Sequence, residues 1–194
     1  TTTNSSTPVQ VSGLTGVTAI AGGDIHSLAL KTDGTVWAWG HNGYGQLGNG
    51  TTTNSSTPVQ VSGLSGVTAI AGGGNHSLAL KPDGTVWAWG HNGYGQLGDG
   101  TNTSRSMPVQ VSGLTGVTAI AGGGFHSLAL KSDGTVRAWG RNDFGQLGNG
   151  ITTQSSTPVQ VTGLTAVTAI AGGAEYSLAL KSDGTVRAWG STSY

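Results

Sequence analysis

Three histidines, His26, His76 and His126, stand at intervals of 50 residues, each followed by serine, and Tyr176 takes the same place in the last quarter of the chain. A ring of imidazoles suggests a metal site. Against that, one ligand per repeat spreads the rings around an axis, no acidic residue recurs beside them, and the chain has no cysteine. The histidines therefore read as structural hydrogen-bonding residues. Asp33, Asp83, Asp133 and Asp183 each precede glycine, where a carboxylate caps the backbone of its own turn. General acid–base chemistry needs two carboxylates to converge, and these fall in different repeats. A serine nucleophile needs a positioned imidazole, yet strand neighbours such as His26 and Ser27 point to opposite faces. The glycines at 72–74 lack the helix and the Lys-Ser/Thr of a phosphate loop. These residues predict no catalytic centre, no metal site and no cofactor.

The elements that position them follow from a repeat. VQVSGLTGVTAIAGG at Val9 recurs at Val59 and Val109 and returns as VQVTGLTAVTAIAGG at Val159. The 194 residues therefore read as one unit of four copies, 1–50, 51–100, 101–150 and 151–194. Copies one and two differ only at Thr15/Ser65, Asp24/Gly74, Ile25/Asn75, Thr32/Pro82 and Asn49/Asp99, the mark of recent duplication or of a deliberate consensus. Residues 17–21 (VTAIA), 27–31 (SLALK) and 35–39 (TVWAW) are β-prone runs between glycine-rich turns. Residues 58–61 (PVQV) give a fourth strand, whose leading proline places it at an edge. The Asp-Gly turn predicts a three-residue hairpin loop. No stretch carries a helical period.

Charged residues make up 8% of the chain, with Lys plus Arg and Asp plus Glu at eight each. That balance argues against nucleic acid and acidic membrane as partners. No apolar run approaches the roughly 18 residues of a membrane span. The opening TTTNSSTPVQ has no signal-peptide pattern and reads as a mature or excised segment. The compartment stays open, a secreted or surface-exposed bacterial setting being one reading.

Short strands with a fixed Gly and aromatic pattern predict an all-β propeller of four-stranded antiparallel blades, four to the chain. Ala19, Ala21, Gly22 and Gly23 suit a crowded innermost strand, while Trp39, Trp89, Trp139 and Trp189 supply bulk between blades. The chain opens on the outer-strand sequence at 8–11 and ends after a third strand at 185–190. The N-terminal strand is therefore predicted to complete the last blade, either within the chain or in trans.

The run GGDIHSLALKTDGTVWAWGHNGYGQLGNG, residues 22–50, resembles the repeat of the regulator of chromosome condensation family, and the resemblance covers essentially the whole chain. It implies a propeller, typically of seven blades, that serves as a protein-binding platform. Members include a nucleotide exchange factor, a plant ultraviolet receptor and a secreted inhibitor of β-lactamases. The exchange factor works through a wedge-like insertion, for which the strict 50-residue spacing leaves no room. The receptor's Gly-Trp-Arg-His-Thr motif is absent, because Asp24-Ile25, Gly74-Asn75, Gly124-Phe125 and Ala174-Glu175 precede the repeat His or Tyr. A blade shaped for a ring of seven turns by about 51°, against about 45° for eight and about 90° for four. Four copies are therefore predicted to pair head-to-tail with a second chain as an eight-bladed homodimer, each donating residues 8–11 to the other.

The copies disagree mainly in two loops that share one face. Positions 24 and 25 read Asp-Ile, Gly-Asn, Gly-Phe and Ala-Glu, and positions 41–44 read HNGY, HNGY, RNDF and STSY. Aromatic and Arg residues on loops of a rigid scaffold suit a protein-binding face. The candidate residues are Asp24, Ile25, His41, Tyr44, Asn75, His91, Tyr94, Phe125, Arg141, Phe144 and Glu175. The predicted function is a non-enzymatic scaffold for an unidentified protein partner. The alternative is a structural repeat with no selected ligand, and exchange-factor-like activity ranks below both.

Overall fold

A computed structural model describes residues 3–192, and among them every regular element is a strand. The first sheet holds β1 (Val17–Gly22), β2 (His26–Lys31), β3 (Val36–Gly40) and β4 (Ser55–Gln60). The second holds β5 (Ala69–Gly72), β6 (His76–Leu80), β7 (Val86–Gly90) and β8 (Arg105–Gln110). The third holds β9 (Val117–Gly122), β10 (His126–Lys131), β11 (Val136–Gly140) and β12 (Ser155–Gln160). The fourth holds β13 (Val167–Gly172), β14 (Tyr176–Lys181) and β15 (Val186–Gly190). Strands run in sequence order within each sheet, and all pairs are antiparallel. Each four-stranded sheet takes its outer strand from the next copy of the repeat.

Turn chemistry fixes the hairpins. Between β2 and β3, Lys31 N donates to Thr35 O at 3.0 Å and Gly34 N to Lys31 O at 2.9 Å, which leaves a three-residue loop. Gly34 sits at φ +74°, the left-handed position such a loop requires. Asp33 Oδ1 accepts from Thr35 N at 2.9 Å and Thr35 Oγ1 at 2.6 Å, and this cap, recurring at Asp83, Asp133 and Asp183, holds each carboxyl below its ordinary value.

Both faces of an internal blade are covered, so β6 is buried at every residue instead of alternating. Leu28, Leu30, Val36 and Ala38 of the first blade pack against Leu64, Val67, Ala79 and Trp89 of the second. The same set recurs between the second and third blades and between the third and fourth. A fully buried side chain of this kind contributes roughly 1.5–3 kcal/mol, so blade stacking is where the stability lies. Trp89 and Trp139 are fully buried in it, whereas Trp39 and Trp189 are half-buried at the ends of the arc.

Of the two closures left open, the one within a single chain does not occur. Residues 8–11 form no strand, Val9 is 66% exposed, and the fourth sheet keeps three strands. The N-terminal arm instead shares a crevice with Trp39 and residues 56–58 of the first blade. Four blades stacked through these interfaces form an open arc whose end blades do not cover each other: Ile20 is 79% exposed on the first and Val186 60% on the last.

Candidate interaction face and blade-to-blade contacts

The loop after β3 is built by two buried amides, Asn42 and Gln46, whose role the sequence pattern alone does not single out. Asn42 Oδ1 accepts from Leu47 N at 2.9 Å, while its Nδ2 donates to Thr51 O and Thr53 O, each at 3.0 Å. Gln46 Oε1 accepts from Tyr44 N at 3.0 Å, and its Nε2 donates to His41 Nδ1 at 2.9 Å. The His41 proton therefore sits on Nε2. Asn92 and Gln96 repeat the pattern, and Asn142 and Gln146 repeat its backbone contacts. Their signal in the sequence was a polar pair recurring four residues apart inside an otherwise variable loop.

Held this way, rings from successive blades touch. Tyr44 meets His91 edge-on at 4.6 Å between centroids, and His91 meets Phe125 at 6.0 Å. Tyr94 and Phe125 lie 5.4 Å apart, and the Arg141 guanidinium lies 5.4 Å from the Tyr94 ring and 5.3 Å from that of Phe144. Edge-to-face and cation–π pairs of this kind each add about 0.5–1.5 kcal/mol. Arg141 also pairs with Asp143 at 2.7 Å and with Glu175 of the fourth blade at 3.2 Å, which compensates its charge. Partial burial lowers the pKa of His91, which favours its uncharged form.

The strip thus gathers His41, Tyr44, His91, Tyr94, Phe125, Arg141, Phe144 and Glu175, with Tyr44 and Phe144 the most exposed rings. Asn75 joins it by accepting from Gln46 Nε2 at 3.3 Å. Asp24 lies apart, on a 240 Å³ axial pocket lined otherwise by the glycines of β1–β2 and its equivalents and by Ala174. Ile25 is exposed.

The repeated histidines tie blade to blade. His26 Nε2 is 2.8 Å from Ser77 Oγ of the next blade, and Ser77 Oγ donates to Gln46 O at 3.0 Å. The serine proton is thereby committed, so the imidazole must be the donor and carry its proton on Nε2. Trp89 Nε1 donates to the same Gln46 carbonyl at 2.9 Å. His76–Ser127 and His126–Ser177 repeat the contact at 2.9 Å each. Gly23, Gly73 and Gly123 seat these rings, since a Cβ there would overlap the imidazole. Among the described residues Nδ1 of each histidine is buried without a partner. Burial pushes the pKa down to about 4 for His26, about 3 for His76 and about 4 for His126. No group of three or more His, Cys, Asp or Glu among the described residues could hold a metal ion.

Sheets stacked around an axis, with loops from successive sheets gathered on one face, define the chain as a β-propeller arc. Residues 1–194 match the RCC1-like domain, and the chain belongs to that family. It is similar to Prp20p from Saccharomyces cerevisiae, with a TM-score of 0.81 and 28% identity over 95% of this chain and 48% of that one. It is similar to human WBSCR16, with a TM-score of 0.80 and 31% identity over 90% of this chain and 47% of that one. A stretch of 44 residues is 54% identical to the mitochondrial RCC1 domain-containing protein RUG3 of Arabidopsis thaliana, spanning 22% of this chain and 10% of that protein. The chain thus spans about half the length of the solved propellers it matches and a tenth of that curated relative. Prp20 has been solved bound to Kap60, and its binding to Gsp1p and histones has been described.

Proposed function

We propose that this chain is a non-catalytic propeller scaffold that binds a protein partner through the loop face, and that it does so as a closed ring of two head-to-tail copies. The observation that carries the binding reading is the strip from His41 to Phe144. It is continuous across blades, rich in the aromatic and Arg residues that anchor interfaces, and mounted on loops held by buried amides. Protein binding by the Prp20 neighbour supports the same reading. The uncovered end faces support self-association.

The test is capture of partners from the native proteome by the unaltered chain, by Arg141→Ala and by Lys131→Ala, which alters the opposite turn face. A partner held by the first and third and lost from the second supports the reading. A partner lost only from Lys131→Ala overturns it. A chain that captures nothing favours the reading of a structural repeat with no selected ligand.

A further inference from the structure

Each internal blade contact is made from the same pieces, and both ends of the arc hold those pieces uncovered. On the last blade Val186 is 60% and Leu180 39% exposed, where their counterparts Val36, Val86 and Val136 are fully buried and Leu30, Leu80 and Leu130 nearly so. On the first blade Leu14, Val17 and Trp39 line a groove of about 630 Å³, and their counterparts Leu64, Val67 and Trp89 are buried under the preceding blade. The two faces are the two halves of one interface, the one made three times inside the chain. Such a heterologous contact closes only if the second face of each copy meets the first face of the other.

The edges match as well. In the first sheet Ser55 is opposite Gly40, Val59 opposite Ala38 and Gln60 opposite Trp37, and Val61 N donates to Val36 O at 2.9 Å. Residues 5, 9, 10 and 11 carry the same Ser, Val, Gln and Val, unpaired with any strand, while β15 has an open outer edge. One hydrogen-bonding position differs from its counterparts. The Tyr176 ring occupies the seat over Gly173 that the histidines take over Gly23, Gly73 and Gly123, and Ser27 is the first member of the series whose other members meet a histidine.

We propose that a second copy supplies its residues 5–11 as the fourth strand of the last sheet, with Ser5 opposite Gly190, Val9 opposite Ala188 and Gln10 opposite Arg187. At the same seam Tyr176 donates its hydroxyl to the second copy's Ser27. This rests on the reading that two copies close the ring, and it adds the register and the residues of the joint.

The chain has no cysteine, so a single engineered pair reports the joint. Because position 36 is hydrogen-bonded to position 61, the pair one step along is not, and such pairs bring Cα atoms to about 4.5 Å, within disulfide reach. Gln10→Cys with Arg187→Cys, both exposed positions, is oxidised and run on a non-reducing gel, while light scattering gives the mass of the unaltered chain. Twice the chain mass together with a covalent two-chain band is the expected result. Twice the mass with no disulfide, or with one confined to a single chain, overturns the exchanged strand and leaves the two-copy ring standing. A single-chain mass, or an open series of larger species, overturns both. Tyr176→Phe should raise the concentration for half-dissociation several-fold, and an unchanged value removes the Tyr176–Ser27 contact.

Discussion

Acid should unstack the blades before it touches the turns. His26, His76 and His126 titrate in the folded protein at about 4, 3 and 4, below the ordinary 6.5. Between those limits the unfolded chain binds protons that the folded chain refuses, so stability is complete above about pH 6.5 and falls toward pH 4. Each such proton removes about 1.4 kcal/mol per pH unit, and three together remove about 4 kcal/mol per unit between pH 6 and 4.5. His91, lowered by partial burial, adds to the same trend. The turn carboxyls Asp33, Asp83, Asp133 and Asp183 lie below their ordinary 3.8 when folded, so their contribution is intact above that pH and lost beneath it. The two effects therefore occupy separate windows. His76→Gln keeps a nitrogen donor for Ser127 while removing one titration, and should reduce the slope to about 3 kcal/mol per pH unit. Urea unfolding at half-unit steps of pH and fixed protein concentration measures both slopes. Equal slopes for the two proteins would refute the assignment of the buried neutral imidazoles.

Gly73→Ala should unfold the stack, because the new Cβ would overlap the His76 ring and stand 2.7 Å from Gly123 O. The expected result is loss of the cooperative thermal transition. Ala166 holds φ +56°, where the other copies have Gly16, Gly66 and Gly116; Ala166→Gly should therefore stabilise by about 1 kcal/mol in a denaturant titration. Trp89→Phe removes the bond to the Gln46 carbonyl and opens a gap in a fully buried site, which should cost about 2 kcal/mol. Arg141→Ala should lower the melting temperature by a few degrees, since the side chain gives up its contacts with the Tyr94 and Phe144 rings and its ion pairs with Asp143 and Glu175, while lowering affinity for any loop-face partner at least tenfold by calorimetry.

Much of this was legible in the residues. The Asp-Gly turn pointed to the three-residue hairpin, because glycine takes the left-handed position at Gly34 without the steric cost that a Cβ brings. Strand ends shifted from the β-prone runs by one to three residues: β3 begins at Val36, and β4 runs from Ser55 to Gln60, three residues ahead of the PVQV run, since pairing with Gly40 extends it. Contacts made between copies were harder to read. That His26 and Ser27 face away from one another follows from strand geometry, but that His26 meets Ser77 depends on how one sheet lies on the next. The same dependence separated the loop residues. Tyr44, His91 and Phe125 converge from three blades, while Asp24, in the same loop as Ile25, turns to the axis. Asn42 and Gln46 carry no sequence signal of their role beyond their recurrence, because polar residues in a variable loop suggest solvent, and the fold buries them where they hold the loop from within.

The claim that the loop strip is the working surface is tested most directly by hydrogen exchange on the protein in solution, alone and with a captured partner. Backbone amides in residues 41–46, 91–96 and 141–146 should exchange more slowly in the complex, with no change in residues 31–35, 81–85 and 131–135. Protection confined to those Asp-Gly turns, with the loop strip unaltered, would contradict the account.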